Sequence, residues 1–197
     1  ILLPAPPGKD GEPRWYRISD MIDSGLGKHG YRLQPATTQY GADMPDLLLF
    51  RSSSTLPTTM DSFTSYINDI SFLPPGYLSQ HSCKKQELKW LTESTASSTG
   101  QRPLLITGHS LGASTSQLAI INLQRSGKWI DRPIILELFD SPAIAASDAK
   151  AFAHWYDKQN YTAPLIFNYY TSEGYPVPLA CSLIRSSYLG CGIRKPN

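Results

Sequence analysis

The sequence predicts an α/β protein, in which a mainly parallel sheet is flanked by helices. Short apolar segments alternate along the chain with segments of helical periodicity. The apolar segments are rich in branched and aromatic residues, and Gly, Pro or Asp bounds them. The predicted strands cover residues 47–51, 104–107, 134–139 and 165–170, and the predicted helices cover residues 65–69, 84–93, 113–125 and 148–158.

The first forty residues carry no clear periodicity. Gly and Pro residues interrupt their first third, among them Pro4, Pro7, Gly8, Gly11 and Pro13. We therefore expect residues 1–40 to form an irregular N-terminal segment, in which residues 15–22 are either a short helix or a strand. The remaining chain contains no internal repeat and no long linker, so residues 1–197 are expected to form a single domain.

Composition excludes several classes of function. The chain is 41% hydrophobic and 17% charged, which is typical of globular proteins, and its net charge of +2 does not favour nucleic acid as a partner. No apolar run reaches the roughly 20 residues that a membrane-spanning helix needs. The chain begins at Ile1 rather than Met and carries a glycosylation sequon at residues 160–162, so its location is left open, secretion included.

The cysteines predict neither a disulfide scaffold nor a zinc site. There are three, at positions 83, 181 and 191, and their spacing does not match a zinc motif. Cys181 and Cys191 either bridge a C-terminal loop or remain buried thiols. No metal and no cofactor is expected.

The pentapeptide 108–112, Gly-His-Ser-Leu-Gly, is the most informative segment of the chain. It fits the G-x-S-x-G pattern of a nucleophile elbow, a strained turn from a strand into a helix with serine at its tip. A predicted strand precedes it and a predicted helix follows it, as this turn requires. The helical pattern places Leu118 and Ile121 on an apolar face and Gln117 and Asn122 on the side towards solvent.

Several segments together resemble the class 3 lipases of fungal type, which have the α/β-hydrolase fold. Residues 106–113 read Ile-Thr-Gly-His-Ser-Leu-Gly-Ala, residues 50–54 read Phe-Arg-Ser-Ser-Ser, and residues 66–72 read Tyr-Ile-Asn-Asp-Ile-Ser-Phe. The family has Thr-Gly-His-Ser-Leu-Gly at its elbow, Phe-Arg-Gly-Ser/Thr after an earlier strand and a related aromatic-Ile-x-Asp segment. Ser141-Pro142 resembles its Gly-x-Pro turn. The resemblance covers about residues 47–178 and implies a truncated or minimal lipase-like domain.

The elbow and the resemblance together predict the reacting groups. Ser110 is the expected nucleophile, and the N–H of Leu111, the next residue, is one expected oxyanion donor. The resemblance implies that Ser53 supplies the second donor. It also implies a lid at residues 54–65, where the apolar side chains of Leu56, Met60 and Phe63 could contact a membrane surface. The alternative interpretation of this segment is a surface loop with ordinary hydrophobic anchors. The implied substrate is a lipid or another acyl ester, and the implied reaction needs no cofactor.

Two carboxylates are candidates for the catalytic acid. Glu173 follows the predicted strand 165–170, where the family has Asp-x-Val-Pro, and aligning Tyr175-Pro176 with Val-Pro places Glu173 at the acid. Asp140 ends the preceding predicted strand, and some hydrolases take their acid from that position. The family has Gly at the position of Asp140, where the alternative interpretation is a carboxylate that caps the following loop.

No histidine of this chain occupies the sequence position at which the family has its catalytic base. His109 precedes the nucleophile, so its side chain is expected to point away from Ser110. No histidine follows His154, whereas the family's catalytic histidine lies well downstream of the acid. The resemblance therefore implies that the protein continues beyond residue 197, that an unusual base is used, or that the site cannot catalyse.

Two functions are consistent with these residues. The first is a serine hydrolase, a lipase or phospholipase, that forms an acyl-enzyme on Ser110. The alternative is a catalytically inactive lipase-like domain that binds a ligand or acts as a scaffold. A transferase or thioesterase on the same fold would have the same sequence pattern.

Overall fold

A computed structural model of the chain describes residues 1–23, 28–37, 44–51, 77–96, 102–128, 133–141, 144–156, 165–169 and 186–187. In chain order the described elements are β1 (Leu2–Ala5), β2 (Arg14–Asp23), β3 (Lys28–Pro35), β4 (Asp46–Phe50), α1 (Tyr77–Ala96), β5 (Leu104–His109), α2 (Leu111–Arg125), β6 (Ile134–Phe139), β7 (Ile144–Ala145), α3 (Ala146–Tyr156), β8 (Leu165–Tyr169) and β9 (Ser186–Ser187). The predicted helix at residues 65–69 lies outside these ranges.

Seven strands form one mixed sheet in the order β1-β2-β3-β4-β5-β6-β8. The pairs β4/β5, β5/β6 and β6/β8 are parallel, whereas β1/β2, β2/β3 and β3/β4 are antiparallel. The four strands predicted from the sequence are β4, β5, β6 and β8, and they form the parallel half. The predicted α/β-hydrolase-like fold is therefore confirmed, with an antiparallel half added at one side. A separate antiparallel pair joins β7 and β9.

The main core lies between the parallel strands and the helices α1 and α2. Alternate residues of β4, β5 and β6 point into it, because successive side chains of a strand face opposite sides of the sheet. Leu48, Ile106 and Leu136 are 1% exposed or less. The core also contains Trp90 of α1 and the buried Cys83, while Cys181 and Cys191 lie outside the described residues.

The expectation that residues 1–40 are irregular was wrong, since β1, β2 and β3 lie in this segment. The reason is a register shift in β2 between Ile18 and Asp20. A bulge inserts an extra residue and moves the following side chains to the other face of the sheet. Tyr16 accordingly packs in a second apolar cluster with Leu33, while Ile22 packs in the main core. This change of phase hides the alternation that would have predicted one long strand.

Side-chain hydrogen bonds tie the antiparallel half to its surroundings. The hydroxyl of Tyr16 donates to the carbonyl of Pro45 at 3.0 Å, and Trp90 Nε1 donates to Asp20 Oδ2 at 2.7 Å. Burial, and then the negative charge of Asp46, raises the pKa of Tyr16 to about 12. The phenol is therefore neutral in the folded protein well above the pH at which an exposed tyrosine ionises.

Within the described ranges, no helix combines the length and the apolar character that crossing a bilayer would require.

Candidate active site

Ser110 lies at the bend between β5 and α2. β5 ends at His109 and α2 begins at Leu111, so the strand-turn-helix context predicted for the elbow is present. Ser110 has φ 52° and ψ −122°. A non-glycine residue held in a sparsely populated backbone region costs about 1–3 kcal/mol, and it persists only where its surroundings enforce it. The bend is therefore a strained turn held by the fold.

Two glycines permit the close packing around this bend. A Cβ at Gly108 would lie 2.4 Å from the carbonyl carbon of Gly112. A Cβ at Gly112 would lie 2.3 Å from the carbonyl oxygen of Phe50 and 2.8 Å from that of Arg51. These contacts are with backbone atoms, which cannot turn aside as a flexible side chain can. The chain leaving β4 consequently passes directly against the first turn of α2.

The backbone of Ser110 is hydrogen-bonded on both sides. Its N–H donates to the carbonyl of Phe139 at 2.9 Å, which continues the β5/β6 pairing by one residue. Its carbonyl accepts from the N–H groups of Ala113 at 2.9 Å and Ser114 at 3.2 Å, which starts the helix. The side chain of Ser110 does not cap α2. The hydroxyl is therefore not directed at the amides of its own helix.

The beginning of α2 is suited to stabilising negative charge. The first N–H groups of a helix have no partner within the helix, and the helix dipole places partial positive charge at this end. Leu111 is the first residue of α2 and directly follows Ser110. Ser110 retains 6% of its surface exposed and Leu111 retains 5%, so the N–H of Leu111 lies in a largely buried setting.

Asp140 is the second residue with a strained backbone at this edge of the sheet. It follows β6 and has φ 46°. Glycine adopts positive φ freely and aspartate tolerates it better than most residues, which explains an aspartate where the resembling family has glycine. Its Oδ2 lies 3.5 Å from His109 Nε2, with side-chain exposures of 10% for Asp140 and 50% for His109. The structure thus brings one candidate acid beside the elbow.

A buried hydrogen bond connects α2 to the residue after Asp140. Gln117 Nε2 donates to Ser141 Oγ at 2.6 Å, and both residues are 0% exposed. The prediction that Gln117 and Asn122 face solvent was wrong, because α2 is buried continuously from Leu111 to Leu123. The sequence alone does not indicate this contact, because a polar residue on a helix usually marks the solvent side. The partner of Gln117, Ser141, lies 24 residues away along the chain.

Several predicted site residues lie outside the described residues. They are Glu173, Ser53 and the proposed lid at residues 54–65. Two other histidines of the chain lie in described helices, His81 in α1 and His154 in α3. Among the residues that the structure describes, no group of three or more His, Cys, Asp or Glu side chains could hold a metal ion.

Comparison with known proteins identifies the family. The family model for Lipase (class 3) matches residues 48–173, which is more than half of the 197 residues. No curated protein matches the sequence of this chain. The matched segment begins within β4 and includes the elbow and β6.

Solved structures of fungal proteins share the fold. A triacylglycerol lipase from Penicillium expansum is 14% identical with a TM-score of 0.60, and the match covers 89% of this chain and 67% of that protein. A lipase from Rhizopus microsporus var. chinensis is 16% identical with a TM-score of 0.57, covering 83% of this chain and 55% of that protein. The MDLA protein of Penicillium cyclopium, in a mutant form, is 18% identical with a TM-score of 0.54. This match covers 88% of this chain and 69% of that protein.

At these sequence identities the structural similarity shows the fold alone. The chain spans between about half and two thirds of the length of these proteins. The family match rests on the sequence itself and covers the strands and the bend around Ser110. The chain belongs to the class 3 lipase family, a family of carboxylic ester hydrolases.

Proposed function

We propose that this protein is a serine hydrolase that cleaves the carboxylic ester of a lipid-like substrate through an acyl-enzyme on Ser110. The observation that carries the proposal is the strained backbone of Ser110, with φ 52°, at the junction of β5 and α2. This conformation is the one that presents a serine hydroxyl at the tip of a nucleophile elbow. Membership of the class 3 lipase family supports lipid esters as the substrate class.

The proposed reaction has two steps. Ser110 Oγ attacks the ester carbonyl carbon while a general base takes the hydroxyl proton, and the proton then passes to the departing alkoxide oxygen. The alcohol leaves and the acyl group remains bound to Ser110 as an ester. Water attacks this ester in the second step, and the carboxylic acid departs as the serine hydroxyl is restored.

The N–H groups of Leu111 and Ser53 are the proposed oxyanion donors. The position of Leu111 at the first turn of α2 supports the first donor. The approach of Arg51 to Gly112 supports the second, because Ser53 follows Arg51 by only two residues and these span about 7 Å at most. Loss of one such donor typically costs about 3 kcal/mol of transition-state stabilisation.

We assign the catalytic acid to Glu173 rather than Asp140. The carboxylate of Asp140 faces His109, whose side chain belongs to the strand before the nucleophile. Glu173 follows β8, and sequence order places it where the family takes its acid. Residues 54–65 remain the proposed lid over the acyl group, with contact to a lipid surface through its apolar side chains.

The proposal is tested by labelling the full-length protein with a fluorophosphonate, which reacts with activated serines. We expect the probe to label the wild-type protein and Ser110→Ala to abolish labelling and the hydrolysis of a short-chain p-nitrophenyl ester. Ser126→Ala is the matched control, because Ser126 lies at the opposite end of α2 and its hydroxyl donates to the carbonyl of Leu123. An unlabelled wild-type protein without esterase activity would overturn the proposal and favour the alternative of a lipase-like domain without catalytic activity.

A further inference from the structure

Ser110 and Asp140 form a pair of strained turns at one edge of the sheet. They are the non-glycine residues with positive φ among those that the structure describes. His109 and Phe139 are register partners in the parallel pair β5/β6, and each strained residue directly follows one of them. The two unusual backbone conformations therefore occur side by side, at the end where the nucleophile is presented.

Three contacts connect the segment 139–141, which we call the elbow strap, to the elbow. The carbonyl of Phe139 accepts from the N–H of Ser110 at 2.9 Å. Asp140 Oδ2 lies 3.5 Å from His109 Nε2, which is within ion-pairing distance when the imidazole is protonated. Ser141 Oγ accepts from Gln117 Nε2 at 2.6 Å. Each residue of the strap thus contacts the elbow or its helix.

These contacts act on both sides of the nucleophile. His109 immediately precedes Ser110 in the chain. Gln117 lies seven residues after Ser110, which is about two helical turns along α2. Gln117 and Ser141 are fully buried, so separating them would leave polar groups without a hydrogen bond in the core. The strap therefore resists movement of the strand before Ser110 and of the helix after it.

The aspartate supplies a contact that glycine could not. At φ 46° either residue is tolerated, so the backbone of this turn does not require a carboxylate. A side chain at this position can reach a partner that glycine cannot, and one such partner is the imidazole of His109. This chain therefore has a link between β6 and the elbow in addition to the backbone hydrogen bond.

We propose that the elbow strap fixes the geometry of the nucleophile, with Asp140 and Gln117 as positioning residues that act on Ser110 through His109 and α2. This inference rests on the proposed role of Ser110. The expected consequence is kinetic, because small displacements of a reacting group reduce rates strongly while the fold persists.

The first test is a double-mutant cycle on His109 and Asp140, measured as the second-order rate constant for fluorophosphonate labelling of the full-length protein. Asp140→Gly keeps the permitted backbone and removes the carboxylate, and we expect labelling to slow at least about tenfold. Asp140→Asn also tolerates positive φ and keeps an acceptor oxygen, so it should stay within about threefold of wild type. His109→Ala combined with Asp140→Gly should be no slower than the slower single variant.

The second test addresses Gln117 through the kinetics of a short-chain p-nitrophenyl ester. Gln117→Leu removes the amide donor with little change in volume. We expect kcat to fall at least about tenfold with KM nearly unchanged, since nucleophile position affects the transition state rather than ester binding. Asp148→Asn is the control, because Asp148 pairs with Arg125 at the far end of α2. It should lower the melting temperature without slowing the labelling of Ser110.

The outcomes separate the two proposals. Labelling of wild type with unchanged rates in Asp140→Gly and Gln117→Leu would overturn this inference alone. Rates that fall in Asp140→Gly, Gln117→Leu and Asp148→Asn alike, in proportion to their melting temperatures, would also overturn it. A wild-type protein that the probe does not label would overturn the proposed function, and the positioning role with it.

Discussion

The parallel and antiparallel halves of the sheet use polar groups differently. In the parallel half, the strained residues Ser110 and Asp140 lie together at the ends of β5 and β6, and the hydrogen bond between Gln117 and Ser141 lies beside them. In the antiparallel half, Tyr16 donates to the carbonyl of Pro45, and Asp20 accepts from Trp90 of α1. Polar contacts in one half lie around the proposed nucleophile Ser110, whereas those in the other join structural elements.

This difference indicates that chemistry and stability are supported by different regions. Strained backbone costs free energy and is kept where it serves a site. The antiparallel half contains no non-glycine residue with positive φ among its described positions, and its bulge in β2 places side chains in two separate clusters. Substitutions in the parallel edge should therefore change the reaction, and those in the antiparallel half should change stability alone.

The largest combined effect, on the reaction and on stability together, is expected for Gly112→Ala. The added methyl group would lie 2.3 Å from the carbonyl oxygen of Phe50, so the end of β4 or the elbow must move. We expect labelling of Ser110 to slow at least about a hundredfold and the free energy of unfolding to fall by about 1–3 kcal/mol. Gly127→Ala is the control, since Gly127 has φ 66° with no atom within 4 Å of its added Cβ. It should destabilise by about 1–2 kcal/mol and leave labelling unchanged.

An intermediate effect, on stability alone, is expected for Leu33→Ala. Leu33 is 2% exposed and packs with Tyr16 and Met44 in the cluster of the antiparallel half. Chemical denaturation should show a loss of about 2–5 kcal/mol, because a buried side chain is replaced by a cavity. Leu2→Ala should cost far less, since Leu2 is 57% exposed. Slower labelling of Ser110 in folded Leu33→Ala would show that the two halves are coupled.

The smallest effect is expected for Tyr16→Phe and depends on pH. The folded pKa is about 12, whereas an exposed tyrosine ionises near 10, so the unfolded chain loses this proton first. The protonated phenol of Tyr16 therefore contributes fully to the free energy of unfolding below pH 10. This contribution is lost as the pH rises towards 12 and through it, and the loss cannot exceed about 3 kcal/mol. Denaturation between pH 9 and 12 should show a steeper loss of stability for wild type than for Tyr16→Phe. Equal slopes would contradict the burial of the phenol.

The parts of the fold predicted correctly are those encoded locally. β4, β5, β6 and β8 are short apolar segments, and their type follows from the residues themselves. The elbow was predictable because the glycines at positions 108 and 112 each permit a close backbone approach, and both lie within a five-residue segment. β2 was not predictable, because its bulge changes the phase of the alternation within the strand.

The contacts around the elbow depend on residues distant in the chain. The residues close to Gln117 in the sequence do not indicate that Ser141 lies opposite it. The amide of Gln117 was therefore predicted to face solvent, although it is buried. Asp140 was noted as a carboxylate at the end of a strand, but its contact with His109 depends on the pairing of β5 with β6. The functions of Glu173 and Ser53 remain predictions from sequence.

The most direct test of the central claim is to locate the covalent adduct. The full-length protein is reacted with a fluorophosphonate, digested, and analysed by tandem mass spectrometry for the peptide that carries the added mass. We predict a single modified residue, Ser110, at one adduct per chain. An adduct on another serine, or no adduct in a protein that hydrolyses esters, would contradict the assignment of the nucleophile.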